Sequence, residues 1–367
     1  MAGSRAIMAC AAVFVAVLAG APTGIASGAT GGGGGATGGL RVIGFGRHAD
    51  GGAGGAVCVV TSRADSGPAS LRDCATRPRT IVTFAPDLGG TITLDSSVSV
   101  AHSVTISGPG PVITNGGPGH TNMGLALSAG NVVLQNLEFS DWGDWQHRAK
   151  VAPFPNPVWF DAGSDYAVDH VTFRRNGGKV GIRCASGITI AWSHFLQSDK
   201  GVQVGDFSNA QCAFGNTLTL DHNWFDHIGF RAPRDRSGRV HLLNNLEDGW
   251  GSSAAASVCD GQLASEGNVF RPGRTRKAIV TDASQADDDK CTRPGFSRST
   301  GDLLESGALA SVNRPGKVFD PGLEYGYPVA SASPALATAI VAGDGAAQWA
   351  SALPNFDHTT VDYSHTA

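Results

Sequence analysis

Apolar residues in this chain recur in short β-favouring triplets rather than in helical stripes. From about Ser103 onward the copies are Val104-Thr-Ile106, Val132-Val-Leu134, Tyr166-Ala-Val168, Ile188-Thr-Ile190, Leu218-Thr-Leu220 and Val240-His-Leu242. Several continue into a polar pair and a stretch ending in Phe: Gln135-Asn-Leu-Glu-Phe139, Asp169-His-Val-Thr-Phe173 and Asp221-His-Asn-Trp-Phe225. Triplet centres at 167, 189, 219 and 241 are separated by 22, 30 and 22 residues. β-Branched and aromatic residues bounded by Gly, Asn, Asp and Ser are strand chemistry, and no long amphipathic helix intervenes. A 22-residue unit is too short for ankyrin or helical-hairpin repeats, and the leucine-rich consensus is absent. Such units cannot bury a hydrophobic face alone, but stacked they form a continuous core. The pattern predicts an all-β fold, a parallel β-helix (a solenoid) with long loops; an antiparallel sandwich is the alternative. Ser333-Pro334 and the Ala-rich run to Gly343 predict a short C-terminal helix. Between Gly273 and Pro328 the chain is polar and reads as loop.

Composition fits a solenoid. Of 367 residues 51 are Gly, about 14% and twice the usual share, while charged residues make up only 16%. Tight corners need positive φ, which Gly and Asn supply cheaply, and stacked parallel strands read apolar. The same figures, with a net charge of −4, exclude a coiled coil, a charge-rich disordered chain and a basic nucleic-acid binder. Arg5, the apolar run Ala6–Ala21 and the small residues Gly24 to Ala29 have the layout of a secretory signal peptide. The run is shorter than the roughly 20 residues of a membrane span. Cleavage near Ala26–Ala29 would take the net charge to −5, remove Cys10 and leave six cysteines. An even number in a secreted, extracellular chain suggests three disulfides. Of the possible pairings, short loops favour Cys58–Cys74, Cys184–Cys212 and Cys259–Cys291; a metal site is disfavoured because no C-x-x-C pair exists. Gly31–Gly39 reads as a flexible linker.

The segment richest in chemistry is Gly229-Phe-Arg-Ala-Pro-Arg-Asp-Arg236. Proline pins a turn from which Arg231, Arg234 and Arg236 project. Lys200 occupies the equivalent stretch after the preceding strand, so adjacent turns would gather these cations. In a net-acidic protein that asks for an anionic partner; the bland alternative is a set of surface arginines paired with Asp199, Asp226 or Asp235. Asp169-His170 has the form of an acid–base pair, but its recurrence as Asp221-His222 points to a structural role in turns. Trp142, Trp145 and Trp159 are equally suited to stacking on sugar rings or packing a loop. Asp287-Asp-Asp-Lys290 reads as solvated loop.

Further motifs run in order from about residue 43 to 270: Gly44-Phe-Gly46, Gly51-Gly-Ala-Gly-Gly55, Gly67-Pro-Ala-Ser-Leu-Arg72, Tyr166-Ala-Val-Asp-His170, Ile188-Thr-Ile-Ala-Trp-Ser-His-Phe195, Asp199-Lys200, Arg231-Ala-Pro-Arg-Asp-Arg236, Val240-His-Leu-Leu-Asn-Asn245 and Glu266-Gly-Asn-Val-Phe270. In these the chain resembles the extracellular pectate lyase and pectin lyase family. The resemblance implies a right-handed parallel β-helix that cleaves polygalacturonate or pectin by β-elimination, leaving a 4,5-unsaturated end. It implies Arg231 as the base that takes the C5 proton, with Lys200 and Arg236 holding the uronate and Arg234 assisting. An arginine base implies an alkaline optimum. The expected organisation is a signal peptide over 1–29, the linker over 30–39, the catalytic β-helix over 40–325, and a C-terminal segment over 326–367 packing on or capping the solenoid. The expected protein is a monomer whose partner is acidic cell-wall polysaccharide (homogalacturonan or pectin), with no nucleic acid and, after processing, no membrane.

Calcium-dependent members of that family carry acidic ligands where this chain has Asn156, Gly177 and Gly181. Calcium wants six to eight oxygens, usually including several carboxylates. The resemblance therefore leaves Ca²⁺ as a candidate but favours none, with Lys179 or Arg183 supplying a fixed cation near the uronate instead. Asp161 and Asp165 are the alternative source of a rearranged calcium site. Two other functions remain open: a non-catalytic secreted carbohydrate-binding β-helix, and a polygalacturonase-like hydrolase. The latter needs paired carboxylates and a Gly-His-Gly segment; His120 sits in Pro-Gly-His-Thr instead.

Overall fold

A computed structural model describes residues 42–145, 155–205, 212, 215–282 and 293–345. The expected signal peptide and linker, Cys291 and the Asp287–Lys290 run lie outside the described residues.

The triplets are strands, and every ladder between named strands is parallel. They stack into three faces of a solenoid. One face runs through Val98–Val100, Leu125–Leu127, Val202–Val204, Arg234–Arg236 and Ala255–Val258. A second runs through Val104–Ser107, Val132–Gln135, Thr217–Asp221, Arg239–Leu243 and Gln262–Glu266. Two 12-residue strands, Val158–Asp169 and Val180–Ala191, continue from the first face into the second. The third face is a nine-stranded sheet that includes Glu138–Trp142, Thr172–Asn176 and Trp224–Asp226.

The polar pair that follows each triplet is the corner between the second and third faces. Asn136, His170, Trp192, His222 and Asn244 occupy this corner with φ between 46° and 53°. Each N–H there donates to a carbonyl on the next coil, as from His170 to Ala191 and from His222 to Leu243. The Asp-His pairs are part of it: each His Nδ1 bonds the preceding Asp, and the rings of His170 and His222 stack on Trp192. They are structural.

Inside, equivalent residues meet their own kind. Phe139, Phe173, Phe195 and Phe225 stack at 5.6, 4.8 and 4.6 Å between centroids. The next position in register is Glu247, followed by Phe270. Beside them the backbone N–H groups of Ser193, Asn223 and Asn245 donate to the Oδ1 of Asn223, Asn245 and Asn268, while Asn268 donates to Asp302. Each side chain in this ladder satisfies backbone groups that a corner leaves unpaired.

Helix α1 (Leu71–Ala75), capped by Ser70, buries Leu71, Cys74 and Ala75 and is tied to the first strand by the Cys58–Cys74 disulfide. Cys184–Cys212 also forms; Cys259 is disulfide-bonded, and its expected partner Cys291 lies outside the described residues. Helix α2 (Pro334–Gly343), capped by Ser333 as expected, lays Ala337 and Ile340 against Leu246 and Val269 on the third face. The polar stretch after Gly273, read as loop, instead adds strands Lys277–Val280 and Phe296–Thr300 to the solenoid. The first of these buries Ala278, Ile279 and Val280, a short apolar run set in polar sequence. Residues 42–55 form a strap across the second face, bonded to Thr219 and Thr189 on adjacent coils and to Thr105 three coils further back. The strap passes so close that a Cβ on Gly46 would lie 2.2 Å from the Tyr166 carbonyl.

Candidate active site

The outer side of the first face presents side chains as a grid. Strand neighbours lie about 4.8 Å apart, and alternate residues of one strand face the same way. One row holds Trp159, Gly181, Gln203 and Arg234 in register. The row two residues on holds Asp161, Arg183, Gly205 and Arg236, and there Asp161 pairs with Arg183 at 2.7 Å.

Lys200 and Arg231 flank this grid on adjacent coils, brought together by the bridge between Lys200 and Phe230. Both cations lie over the Phe230 ring, Lys200 Nζ at 5.4 Å and the Arg231 guanidinium carbon at 4.8 Å from its centroid. Lys200 is buried, donates to the Gly177 carbonyl at 3.2 Å and pairs with Asp199. Half-buried Arg231 adopts φ +65° and donates from Nη1 to Oε1 of Gln203 at 2.7 Å. Gln203 is a neutral acceptor, and this bond orients the guanidinium. Arg234 and Arg236 are 3% and 6% exposed, far more enclosed than arginines projecting from a surface turn. The surface-pairing alternative also fails for two of its three acids: Asp226 bonds His194 and His227, and Asp235 points inward with 0% exposure. Asp199 does pair with a site cation, but that cation is Lys200.

The expected residues thus gather, with different surroundings. Lys179 donates its backbone N–H to Asn156 Oδ1 at 3.0 Å, and Arg183 is held by Asp161. Sequence reasoning missed Gln203 and Phe230, although both sit beside singled-out residues: Phe230 precedes Arg231, and Gln203 lies three after Lys200. Of the tryptophans, Trp142 is a core residue at 0% exposure. Trp159 lies on the grid, with its indole over Gly181 and its Nε1 donating to Asp161 at 3.0 Å.

The described residues at these positions do not fit calcium. Asn156 Oδ1 already accepts a backbone N–H, Gly177 offers a carbonyl that Lys200 holds, and a Cβ on Gly181 would lie 2.3 Å from the Trp159 ring. Asp161 is bound by Arg183 and Trp159, and Asp165 accepts from Ser164. Among the described residues no group of three or more His, Cys, Asp or Glu side chains is disposed to hold a metal ion.

A family model described as "Pectate lyase" matches residues 5–347. Pectate lyase 1 of Chamaecyparis obtusa is 30% identical over 284 residues, covering 72% of this chain and 75% of that protein. Probable pectate lyase 18 of Arabidopsis thaliana is 27% identical, covering 73% and 69%. Among solved structures, the cedar pollen allergen jun a 1 superposes with a TM-score of 0.65 at 22% identity, covering 83% of this chain and 92% of its own. A pectate lyase from Bacillus sp. N165, in complex with trigalacturonate, gives 0.55 at 19% identity, covering 83% and 98%.

Proposed function

The chain belongs to the pectate lyase family and is a polysaccharide lyase, and we propose that Arg231, Lys200 and Arg236 carry its reaction on a polygalacturonate chain laid across the first face. The observation that carries this reading is the convergence of Lys200 and Arg231 on Phe230, beside the strand that bears Arg234 and Arg236. In β-elimination the C5–H bond breaks, its electron pair forms the C4=C5 double bond, and the C4–O bond to the leaving sugar breaks. The proton goes to the base, and the departing oxygen takes one from solvent. Charge builds on the uronate carboxyl as the C5 proton leaves, so fixed cations there stabilise the transition state more than the ground state.

Arg231 is the base. An unperturbed guanidine is neutral in only about 10⁻⁴ to 10⁻⁵ of molecules near pH 9. The neutral fraction grows about tenfold with each pH unit. Activity therefore rises into the alkaline range. Lys200 and Arg236 hold the uronate, with Arg234 assisting; Arg183 and Lys179 extend the cationic surface one coil back. These fixed cations take the part of a metal, and the reaction needs no calcium. The disulfides Cys58–Cys74 and Cys184–Cys212 belong to an oxidising compartment, in keeping with secretion and with a cell-wall substrate.

The test is Arg231→Ala and Arg231→Lys, assayed on polygalacturonate at about pH 9 by the ultraviolet absorbance of the unsaturated product. Loss of a general base lowers kcat by about 10² to 10⁴-fold. An Arg231→Ala protein with full activity overturns the assignment.

A further inference from the structure

Asp235 is a buried carboxyl that the chemistry above leaves unused. It lies between Arg234 and Arg236 in one strand, and because strand side chains alternate it points into the solenoid while they point out. Its Oδ1 accepts the Gly238 N–H at 2.8 Å. A Cβ on Gly238 would come within 2.8 Å of Oδ1, and one on Gly261 within 2.5 Å of Oδ2. The carboxyl thus occupies a slot that glycine leaves open on both sides. The bond to Gly238 also closes a turn whose two central residues are Arg236 and Ser237, the latter at φ +59°. The backbone of Arg236 is therefore held by the Asp235 side chain.

The groups that face this carboxyl are neutral: Val204 and Ser257 across the two neighbouring strands, and the N–H groups of Gly238 and Gln262. The charges on the adjoining elements are already paired, Asp260 with Arg293 and Arg239 with Glu324. Burial pushes the Asp235 carboxyl up to about 7, against the lowering effect of the facing donors. It changes charge between the acid range and the alkaline range in which an arginine base works.

We propose that Asp235 is a positioning residue whose charge state sets how firmly Arg236 is held toward the substrate uronate, so that binding tightens when the carboxyl ionises. This rests on the assignment of Arg236 to the uronate. A carboxylate accepts hydrogen bonds roughly twice as strong as those to a neutral acceptor, so ionisation stiffens the turn around Arg236.

The experiment measures KM and kcat of the intact protein on polygalacturonate across neutral pH. Asp235→Asn keeps an acceptor for Gly238 and the shape of the slot but removes the charge. The wild-type KM falls about fivefold as the pH rises, and D235N keeps the high value throughout with kcat little changed. Ser257→Ala removes the hydroxyl that faces the carboxyl across the strand and moves the wild-type inflection upward with the same plateaus. A D235N protein that retains the wild-type inflection overturns the proposal, as does a D235N defect of equal size at every pH. Where D235N does not fold, S257A decides, and an unmoved inflection overturns the proposal. Arg236→Ala, run alongside, separates the two readings. An unchanged KM in that variant refutes the uronate assignment itself. A raised KM there, with D235N tracking wild type, refutes only the role of Asp235.

Discussion

Glu247 stands where the interior phenylalanine stack asks for another apolar ring. It is 1% exposed, between Phe225 and Phe270 in register, and its Oε1 has no hydrogen-bond partner. Burial holds its carboxyl well above the usual glutamate range, so in the folded protein it stays protonated where the unfolded chain would ionise. The unfolded state therefore binds fewer protons than the folded one. Whatever this group contributes to stability is complete at acid pH and is lost as the pH rises from the unfolded carboxyl range through the raised folded value. Each pH unit in that window costs about 1.4 kcal/mol. Glu247→Leu removes the titration and fills the position with an apolar side chain. Replacing a buried polar group without a partner by a well-packed apolar one is neutral or stabilising, by about 1–4 kcal/mol for ionic groups. Urea denaturation at acid and at alkaline pH measures this directly. The expected result is a variant close to wild type at low pH and more stable at high pH, by at least the amount lost in one unit of the window. A Glu247→Leu protein that loses stability with rising pH as steeply as wild type would refute the reasoning.

Two further outcomes follow from the interior ladder and from the site. Asn245→Leu leaves the N–H of Asn223 without its partner and takes the amide's bonds from the carbonyls of Leu220 and Leu243, the latter still held by the His222 N–H; a buried group left unsatisfied costs about 1–3 kcal/mol, so thermal unfolding drops by several degrees or the protein fails to fold. EGTA leaves the lyase activity on polygalacturonate unchanged; activity abolished by EGTA and restored by added calcium would show that calcium is required after all.

The solenoid was legible in the sequence because every coil repeats one solution to one geometric problem. A buried triplet, a left-handed corner and an inward Phe leave the same trace at each turn, so Asp169-His-Val-Thr-Phe173 and Asp221-His-Asn-Trp-Phe225 announce equivalent places. The cationic loop was legible for another reason, since three arginines around a proline are costly to place anywhere but a site. What was not legible depends on contacts between coils. Nothing near Gln203 in sequence says that its amide meets Arg231, because the two are 28 residues apart and joined only by stacking. Trp142 and Trp159 are alike as letters, yet one strand turns its indole into the core and the other lays it over Gly181. The strands after Gly273 were hidden because each is short and set in polar sequence, so that Ala278-Ile-Val280 reads as part of a loop although the coil buries it.

A stack of coils is bound only to its neighbours, and such a column unravels from either end in small steps. The strap over residues 42–55 changes that accounting. Phe45 donates to Thr219 across a separation of 174 residues, and Gly46 to Thr189 across 143. This segment is thereby fastened to coils that the ribosome completes much later, so its seating, begun at Thr105 and Asn131, is finished only when more than half the protein exists. Once seated, it spans coils that would otherwise open one by one, and fraying of any of them must first lift the clasp. Those coils are thereby coupled beyond their nearest neighbours, by a glycine-rich ribbon thin enough to lie flat on the side of the column.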